Sequence, residues 1–159
     1  VYVNFAAAAL CGAALGFFPY NLSKKWKIFM GDSGSLMLGF VCSALALGTN
    51  YGGTTRLSVL APMMILALPL YDTTLVTVLR LKRGMSPFVG SRDHFPLRLE
   101  ALGWERHRIL LFALALALLL AIGALMVTAS GTPGAIAIYA LSALLIYAFT
   151  RYILTAPRP

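Results

Sequence analysis

The sequence predicts an all-α fold, a polytopic transmembrane helix bundle of about five spans with one long polar loop, in which residues 1–159 form a single transmembrane domain. The first reason is composition: 60% of the residues are hydrophobic and 11% are charged, whereas soluble domains carry about 45–50% and about 25%. The second reason is the mean hydropathy of +0.83. The third is that apolar runs close to the length of a membrane span recur along the chain.

The first two apolar runs cover residues 1–18 and about 35–49. We expect the Pro-Tyr-Asn sequence at 19–21 to end the first span, because proline lacks a backbone donor and restricts the residue before it. A polar, lysine-containing loop follows at about residues 19–34. The second span is short and rich in Gly, Ala and Ser, a composition that suits close packing against other helices.

The third apolar run covers residues 57–81 and contains Pro62 and Pro69, which predict kinks in that span. Hydrophobicity then falls over residues 82–108. A loop of that length is uncommon unless it has a function, so it is a candidate for carrying part of a site. The last two spans are predicted at residues 109–129 and about 135–154.

The distribution of basic residues predicts the orientation of these spans. All but one of the 13 lysines and arginines fall on the same side of the membrane, the exception being Arg56. Cytoplasmic loops carry such an excess, so loops 19–34 and 82–108 are both predicted to be cytoplasmic. The net charge of +8 is therefore explained by membrane topology, and a nucleic-acid partner is not expected.

Asp32 is the first candidate functional residue, because an ionisable group at the mouth of a membrane helix is costly unless it has a role. It lies in Gly-Asp-Ser-Gly-Ser at residues 31–35, where backbone N–H groups at a helix start favour phosphate. A carboxylate beside an anion site suggests Mg²⁺ between them. Helix capping by Asp32 is the alternative. Asp72 is a second candidate ligand, and pairing with Arg80 or a neighbouring helix is its alternative role.

The long loop brings several polar residues together between prolines. Arg92 and Arg98 are suited to binding phosphate oxygens, and His94 could donate to phosphate or act as an acid or base. Asp93 could fix the imidazole of His94 or pair with an arginine. Ser86 lies in the same stretch. An ordinary basic segment that touches anionic lipid head groups is the alternative interpretation.

Taken in order, these motifs resemble those of the polyprenyl-phosphate N-acetylhexosamine-1-phosphate transferase family, also known as glycosyl transferase family 4. Their order and spacing agree from about residue 17 to about residue 104. The motifs that carry the resemblance are Tyr20-Asn21, Lys27-Ile-Phe-Met-Gly-Asp-Ser-Gly-Ser35, Asp72 before Arg80, Gly84-Met-Ser-Pro-Phe88, Arg92-Asp93-His94, Arg98-Leu99 and Ala101-Leu-Gly103.

The resemblance implies a multi-pass enzyme of the bacterial cytoplasmic (inner) membrane with its active site facing the cytoplasm. Such an enzyme moves a sugar 1-phosphate, here expected to be GlcNAc-1-phosphate, from a UDP-N-acetylhexosamine to undecaprenyl phosphate and releases UMP. The pathway implied is the biosynthesis of a cell-envelope polysaccharide such as lipopolysaccharide or teichoic acid. Mg²⁺ is the implied cofactor, with Mn²⁺ as an alternative, and a homodimer is one oligomeric state that the resemblance allows.

The resemblance also implies roles for individual residues. Asp32 corresponds to the aspartate that binds the magnesium ion, and Phe29 to the phenylalanine that stacks on uracil. The stretch from Arg92 to Arg98 corresponds to the loop that holds the phosphates and the sugar. We therefore expect Asp32 and His94 to be catalytic, Asp32 also being the metal ligand. The expected substrate-binding residues are Asn21, Phe29, Arg80, Ser86, Arg92, Asp93 and Arg98.

Two departures from the family pattern stand out. Leu97 precedes Arg98 where the family often has a second histidine, which predicts a different sugar or weaker function. The family's Asp-Asp-x-x-Asp motif has no counterpart before Asn21. The chain is therefore predicted to be the C-terminal half of a larger enzyme of 10–11 spans and to be inactive alone.

Other functions compete with this one. The related phospho-MurNAc-pentapeptide transferase is less favoured, because two spans follow the histidine loop and that loop lacks a triple-histidine stretch. A non-catalytic transport or structural subunit is a further alternative, although the chain lacks internal repeats. An intramembrane aspartyl protease would need its Tyr-Asp helix first, and here Tyr71-Asp72 follows Gly31-Asp32.

Overall fold

A computed structural model describes residues 2–49, 55–86, 88 and 93–156, and its described part is helical with no strand. Four helices are long and apolar enough to cross a membrane, or five if one bent pair counts as a single span. The predicted all-α membrane bundle of about five spans is therefore confirmed. The helices are α1 (Tyr2–Leu22), α2 (Gly31–Gly48), a 3₁₀ turn (Arg56–Leu60), α3 (Ala61–Ile65), α4 (Ala67–Lys82), α5 (Phe95–Ala101), α6 (Arg106–Ala129) and α7 (Thr132–Ile153).

The chain forms two compact units, residues 1–50 and residues 51–159. The first unit is the pair α1 and α2. Helix α1 runs through Pro19 and ends at Leu22, so the prediction that it ends at Pro19 was wrong. Proline removes only its own donor, and the next turn still closes, because the amide of Ser23 donates to the Pro19 carbonyl at 3.0 Å.

Helix α2 begins at Gly31, four residues before the predicted start of the second span. Gly31 has φ +64°, a backbone conformation that residues other than glycine rarely adopt. This residue turns the chain from the preceding loop into the helix. As a result Asp32 lies in the first helical turn, and the residue in the N-cap position is Met30, which makes no side-chain capping bond.

In the second unit, the third predicted span is broken. The segment Arg56–Ile65 and helix α4 meet at an angle of 70°, with Leu66 between them. The kink predicted for this span is therefore confirmed near Pro69, and it is sharp enough to divide the span into separate helices. Pro69 explains the break, because it cannot donate to the carbonyl four residues earlier and its ring crowds that carbonyl, which belongs to Ile65. Both prolines lie near the start of the helix that contains them, where proline is tolerated.

The loop at 82–108 contains the short helix α5, which the sequence analysis did not predict. Leu99 of α5 is completely buried, and the helix packs in a hydrophobic cluster with residues from α4, α6 and α7. Gly103, with φ +88°, ends the turn that follows. The loop is thus held at a fixed place on the bundle. The buried members of this cluster are Leu75, Phe95, Leu99, Ile109 and Ile153.

Helices α6 and α7 form an antiparallel pair joined by a short turn, and they enclose α3 in a second cluster. At the other end of the pair, the Trp104 indole N–H donates to the Tyr152 hydroxyl at 3.1 Å. The start of α6 and the end of α7 therefore lie on the same face of this unit. This agrees with the predicted placement of loop 82–108 and of Arg151 on one side of the membrane.

Candidate functional site

The most specific polar arrangement in the second unit joins α4 to the start of α5. His94 Nδ1 lies 2.8 Å from Asp72 Oδ2. The backbone N–H of Phe95 donates to the other carboxylate oxygen, Asp72 Oδ1, also at 2.8 Å. A single carboxylate on α4 therefore holds both the imidazole of His94 and the first amide of α5, which are 22 and 23 residues away in sequence.

This geometry determines how the His94 ring is presented. An ionised carboxylate only accepts hydrogen bonds, so the proton in the short contact to Asp72 lies on Nδ1. Nε2 is then the free nitrogen of the ring, and it makes no hydrogen bond with the part of the chain that the structure describes. The His94 side chain is 46% exposed and that of Asp72 is 22% exposed. Asp72 thus holds the Nδ1 side of the ring, and Nε2 is accessible to a ligand.

Asp72 also takes the place of a helix cap. His94 occupies the N-cap position of α5 with φ −59° and ψ 142°, and it makes no capping bond with its own side chain. The first amides of a helix lack intrahelical partners, and the Asp72 carboxylate accepts from the amide of Phe95. The Asp72 carboxyl group therefore ties the orientation of His94 to the position of α5.

Asp93 directly precedes His94, but its carboxylate binds arginines and not the imidazole of His94. Its carboxylate is 2% exposed and binds two arginines. Arg83 donates from both terminal nitrogens at 2.7 and 2.9 Å, and Arg98 donates at 2.9 Å. The alternative that Asp93 pairs with an arginine is the one found, and the pairing involves two arginines at once.

This arrangement perturbs the titration of the aspartate. Burial by itself raises the pKa of Asp93, but the hydrogen bonds from Arg98 and Arg83, together with their charges, outweigh it. The pKa of Asp93 is therefore lower than its ordinary value of 3.8. Asp93 is therefore ionised at neutral pH and can hold both arginines.

Arg98, which we expected to bind phosphate, is buried on α5. Its side chain is 4% exposed, and one of its terminal nitrogens is committed to Asp93. Its Nε has no hydrogen-bond partner in the described part of the chain. The contact with Asp93 therefore holds Arg98 in the loop and leaves Nε as the donor that another acceptor could meet.

Asp32, in the first unit, is exposed in the first turn of α2. Its backbone carbonyl accepts from the Ser35 hydroxyl at 3.1 Å, but its carboxylate has no hydrogen bond or ion pair with any described residue. It is therefore free to take an external ligand. Because Mg²⁺ is usually held by one or two carboxylates together with substrate phosphates and water, an exposed single carboxylate fits that ion.

Phe29 lies in the loop before α2 with its ring 74% exposed. The Lys27 ammonium lies 4.9 Å from the centre of that ring, a cation–π contact. The Asn21 amide donates to the Ile28 carbonyl at 3.1 Å and so closes the loop that carries Phe29. Asn21 thus shapes the loop, and Phe29 offers an open aromatic face on which a flat ring could stack.

The other predicted substrate-binding residues are Arg80, Ser86 and Arg92. Arg80 is half-buried in the last turn of α4. The Ser86 hydroxyl accepts from the backbone amide of Phe88 at 3.4 Å. Arg92 lies outside the residues that the structure describes. No cluster of three or more His, Cys, Asp or Glu side chains with the geometry of a metal site occurs within the described ranges.

Two functional contacts were not identified from the sequence. Arg83 was counted only as a basic loop residue, although it forms the bidentate pair with Asp93. The pairing of Asp72 with His94 was also missed, because Asp72 was considered as a metal ligand or a partner of Arg80. The one sequence signal for Arg83 is that a cation is favoured near a helix C-terminus, which does not indicate its partner.

Comparison with known proteins gives consistent results. The family described as glycosyl transferase family 4 matches residues 1–50. The undecaprenyl-phosphate alpha-N-acetylglucosaminyl 1-phosphate transferase of Escherichia coli strain K12 is 36% identical over 121 residues, which are 74% of this chain and 33% of that protein. The corresponding protein of Salmonella typhi is 35% identical over 119 residues, 72% of this chain and 32% of its own.

A probable undecaprenyl-phosphate N-acetylglucosaminyl 1-phosphate transferase of Bacillus subtilis strain 168 is 35% identical over 109 residues, covering 69% of this chain and 30% of that protein. The chain therefore spans about a third of the length of the curated relatives that it matches. No solved structure matches it significantly. The resemblance indicated by the sequence motifs is confirmed.

Proposed function

We propose that this chain, which is related to glycosyl transferase family 4, carries part of an enzyme that transfers a sugar 1-phosphate to undecaprenyl phosphate. The observation that carries the proposal is the 36% identity over 121 residues to a protein named for that activity. The donor would be UDP-GlcNAc and the second product UMP. In this reaction an oxygen of the lipid phosphate attacks the phosphorus that bears the sugar, and the bond from that phosphorus to UMP breaks.

The exposed carboxylate of Asp32 supports a role in binding Mg²⁺. Bound Mg²⁺ would neutralise the negative charge of the donor pyrophosphate and so favour departure of UMP. Asp32 would supply one carboxylate oxygen, and the exposed ring of Phe29 would receive the uracil by stacking. Because the Asp32 carboxylate makes no bond to any residue that the structure describes, it is available for this role.

His94 would act at the substrate phosphates through Nε2. Because the contact with Asp72 places the Nδ1 proton, Nε2 is the atom that can accept a proton from, or donate one to, a phosphate oxygen. Asp72 would be a positioning residue, since it touches the imidazole and not the substrate. Together the two residues resemble other sites in which a carboxylate orients a working histidine.

The protein is a multi-pass membrane protein, and we place it in the bacterial inner membrane with the working face toward the cytoplasm. The support is the excess of lysine and arginine on one side of the predicted spans. A nucleotide-sugar donor is made in the cytoplasm, so the same face would meet its substrate. The lipid acceptor would arrive from within the bilayer.

The experiment is a transfer assay on the complete gene product, purified in detergent, with radiolabelled UDP-GlcNAc, undecaprenyl phosphate and Mg²⁺. We expect label in the lipid fraction and UMP in equal amount. Asp32→Asn should abolish transfer, because the amide loses the charge that holds the cation. Glu105→Gln removes an exposed carboxylate elsewhere and should leave activity unchanged.

Two results would overturn parts of the proposal. Label transfer only from UDP-MurNAc-pentapeptide would assign the related peptidoglycan reaction instead. Near-normal turnover of Asp32→Asn would remove the metal assignment but leave the transferase. Failure of every nucleotide sugar to react would favour the non-catalytic subunit.

A further inference from the structure

A polar cavity of about 310 Å³ lies where α4, α5 and the end of α7 meet. At about 30 Å³ for each water molecule, it has room for about ten waters and thus for a phosphate group. His94 is not among the residues that line it. The lining residues are Leu79, Lys82, Arg83, Arg98, Leu154 and Ala156.

The cavity is positively charged. Three of its lining side chains are cations, and Asp93, which binds two of them, is the one carboxylate in contact with these cations in the described structure. The C-terminal ends of α4 and α7 contribute about half a negative charge each. About one positive charge therefore remains without a counterion, which favours an anionic occupant.

Donors for such an occupant are present. Lys82 is exposed and makes no hydrogen bond or ion pair with any residue in the described ranges. Arg98 is 3% exposed, and its Nε lacks an acceptor within the same part of the chain. Because burying an unsatisfied donor is costly, a buried guanidinium with a vacant N–H is an unusual feature that an external acceptor would relieve.

One side of the cavity is apolar. The position of the cavity in the fold indicates which kind of anion it binds. Leu79 lies near the end of α4, which is the second part of the bent span, and Leu154 directly follows the membrane-spanning helix α7; the last residues of the two helices are Lys82 and Ile153. Head groups and the upper parts of acyl chains meet at this level of a bilayer. An amphipathic anion matches both sides of the cavity better than a free phosphate does.

We propose that this cavity binds the phosphate of an anionic membrane phospholipid, with Lys82, Arg83 and Arg98 as the cationic wall and Leu79 and Leu154 against the acyl chains. The site is separate from the reaction proposed above and does not depend on it. The chemistry recognised is a phosphodiester with a net negative charge, as in phosphatidylglycerol. A zwitterionic phosphatidylcholine lacks that net charge.

The test measures lipid binding rather than activity. The complete gene product is placed in nanodiscs that contain phosphatidylcholine with or without phosphatidylglycerol, and the lipids retained after release are counted by native mass spectrometry. We expect selective retention of phosphatidylglycerol by the wild type. Lys82→Gln should reduce the ratio of phosphatidylglycerol-bound to phosphatidylcholine-bound protein about fivefold, the effect of about one basic residue near a membrane surface.

Lys24→Gln is the matched control, because it removes the same charge from an exposed loop in the other unit, and it should leave the ratio unchanged. Equal ratios for Lys82→Gln and Lys24→Gln would overturn the proposal. Displacement of the retained lipid by inorganic phosphate, UDP-GlcNAc or undecaprenyl phosphate would also overturn it, because the cavity would then belong to a soluble phosphate or to a substrate. Thermal melting of both variants verifies that each is folded.

Discussion

At the scale of single residues, the contact between Asp72 and His94 carries the most chemical information. Neither residue alone is decisive, since a lone histidine in a basic loop has many uses. The short bond to Nδ1, together with the amide of Phe95 on the second oxygen, fixes both the rotation of the ring and its protonated nitrogen. Nε2 is therefore the ring nitrogen that remains for a ligand bound outside the loop.

We predict that His94→Ala lowers kcat of the complete enzyme at least about tenfold, or about 1.4 kcal/mol. Asp72→Asn should lower kcat about 10–100-fold with little change in KM for the nucleotide sugar, as found when the partner of a working histidine is altered. Its amide can turn its NH₂ toward Nδ1 and so move the ring proton to Nε2. Steady-state kinetics on the purified variants measure both effects.

A double variant separates positioning from general damage. If Asp72 acts through His94, Asp72→Asn should cost nothing further in a His94→Ala background. An additive loss would mean that Asp72 has a separate role, for example as a metal ligand. Melting temperatures close to the wild type in all three variants are needed for this comparison.

The lowered pKa of Asp93 predicts a pH dependence of stability. A carboxyl whose pKa is lowered by folding stabilises the protein above its unfolded pKa, and that stabilisation is lost as pH falls through the folded value. We therefore expect the contribution of Asp93 to the unfolding free energy to be independent of pH near neutrality and to decrease as the pH falls below about 4. Circular dichroism melts in detergent over an acid pH series test this.

Asp93→Asn should remove the part of the acid dependence that Asp93 contributes. At neutral pH the variant should be less stable by about 3–5 kcal/mol, because two arginines, one of them buried, lose their counterion. Glu105→Gln, an exposed carboxylate, serves as the comparison and should leave the curve unchanged. A wild-type curve that Asp93→Asn reproduces at every pH would contradict this account.

The sequence predicted residues whose roles depend on their neighbours along the chain and missed those that depend on packing. The position of Asp32 at a helix start follows from the Gly-Asp-Ser-Gly-Ser motif, and the structure confirms that position. The contact of Asp72 with His94 requires α5 to fold back on α4 across 22 residues. No local pattern encodes that distance.

At the scale of elements, α5 is the part that positions the loop. It has only seven residues, too few for a helix to be stable in isolation, so its stability must come from packing. Leu99 provides that packing, since it is completely buried against α4, α6 and α7. The loop predicted at residues 82–108 thus lies between Lys82 and Arg106, and the sequence analysis did not predict the helix inside it.

We predict that Leu99→Ala destabilises the protein by about 2–5 kcal/mol, the usual result of removing a buried leucine. Leu97→Ala is a matched control on the same helix, because Leu97 is 37% exposed and should have a much smaller effect. Thermal or denaturant unfolding compares the two. Equal losses would mean that α5 is not anchored through Leu99.

At the scale of the whole molecule, the arrangement of spans was the easiest feature to predict. Long apolar runs and the one-sided distribution of basic residues depend on composition over many residues, so single deviations do not alter the result. The exception is the third span, whose 70° bend depends on where Pro69 falls relative to Ile65. The ends of elements also depended on individual residues, because α1 continues through Pro19 to Leu22 and α2 begins at Gly31.

The predicted topology can be tested by labelling. In a background with Cys11→Ala and Cys42→Ala, Gly131→Cys in the turn before α7 should react with an impermeant maleimide in intact spheroplasts. Glu105→Cys, before α6, should react only after the membrane is permeabilised. The reverse pattern would invert the orientation and move the proposed site to the outer face of the membrane.

The hydrogen bond between the Trp104 indole and the Tyr152 hydroxyl gives this protein a built-in optical probe. The chain has only two tryptophans, Trp26 in the first unit and Trp104 in the second. In a Trp26→Phe variant, all indole fluorescence would come from Trp104, whose ring lies between the loop that carries His94 and helix α7. The emission of Trp104 would change when a ligand binds to that loop. In a Trp104→Phe variant, the fluorescence of Trp26 would report on the first unit alone.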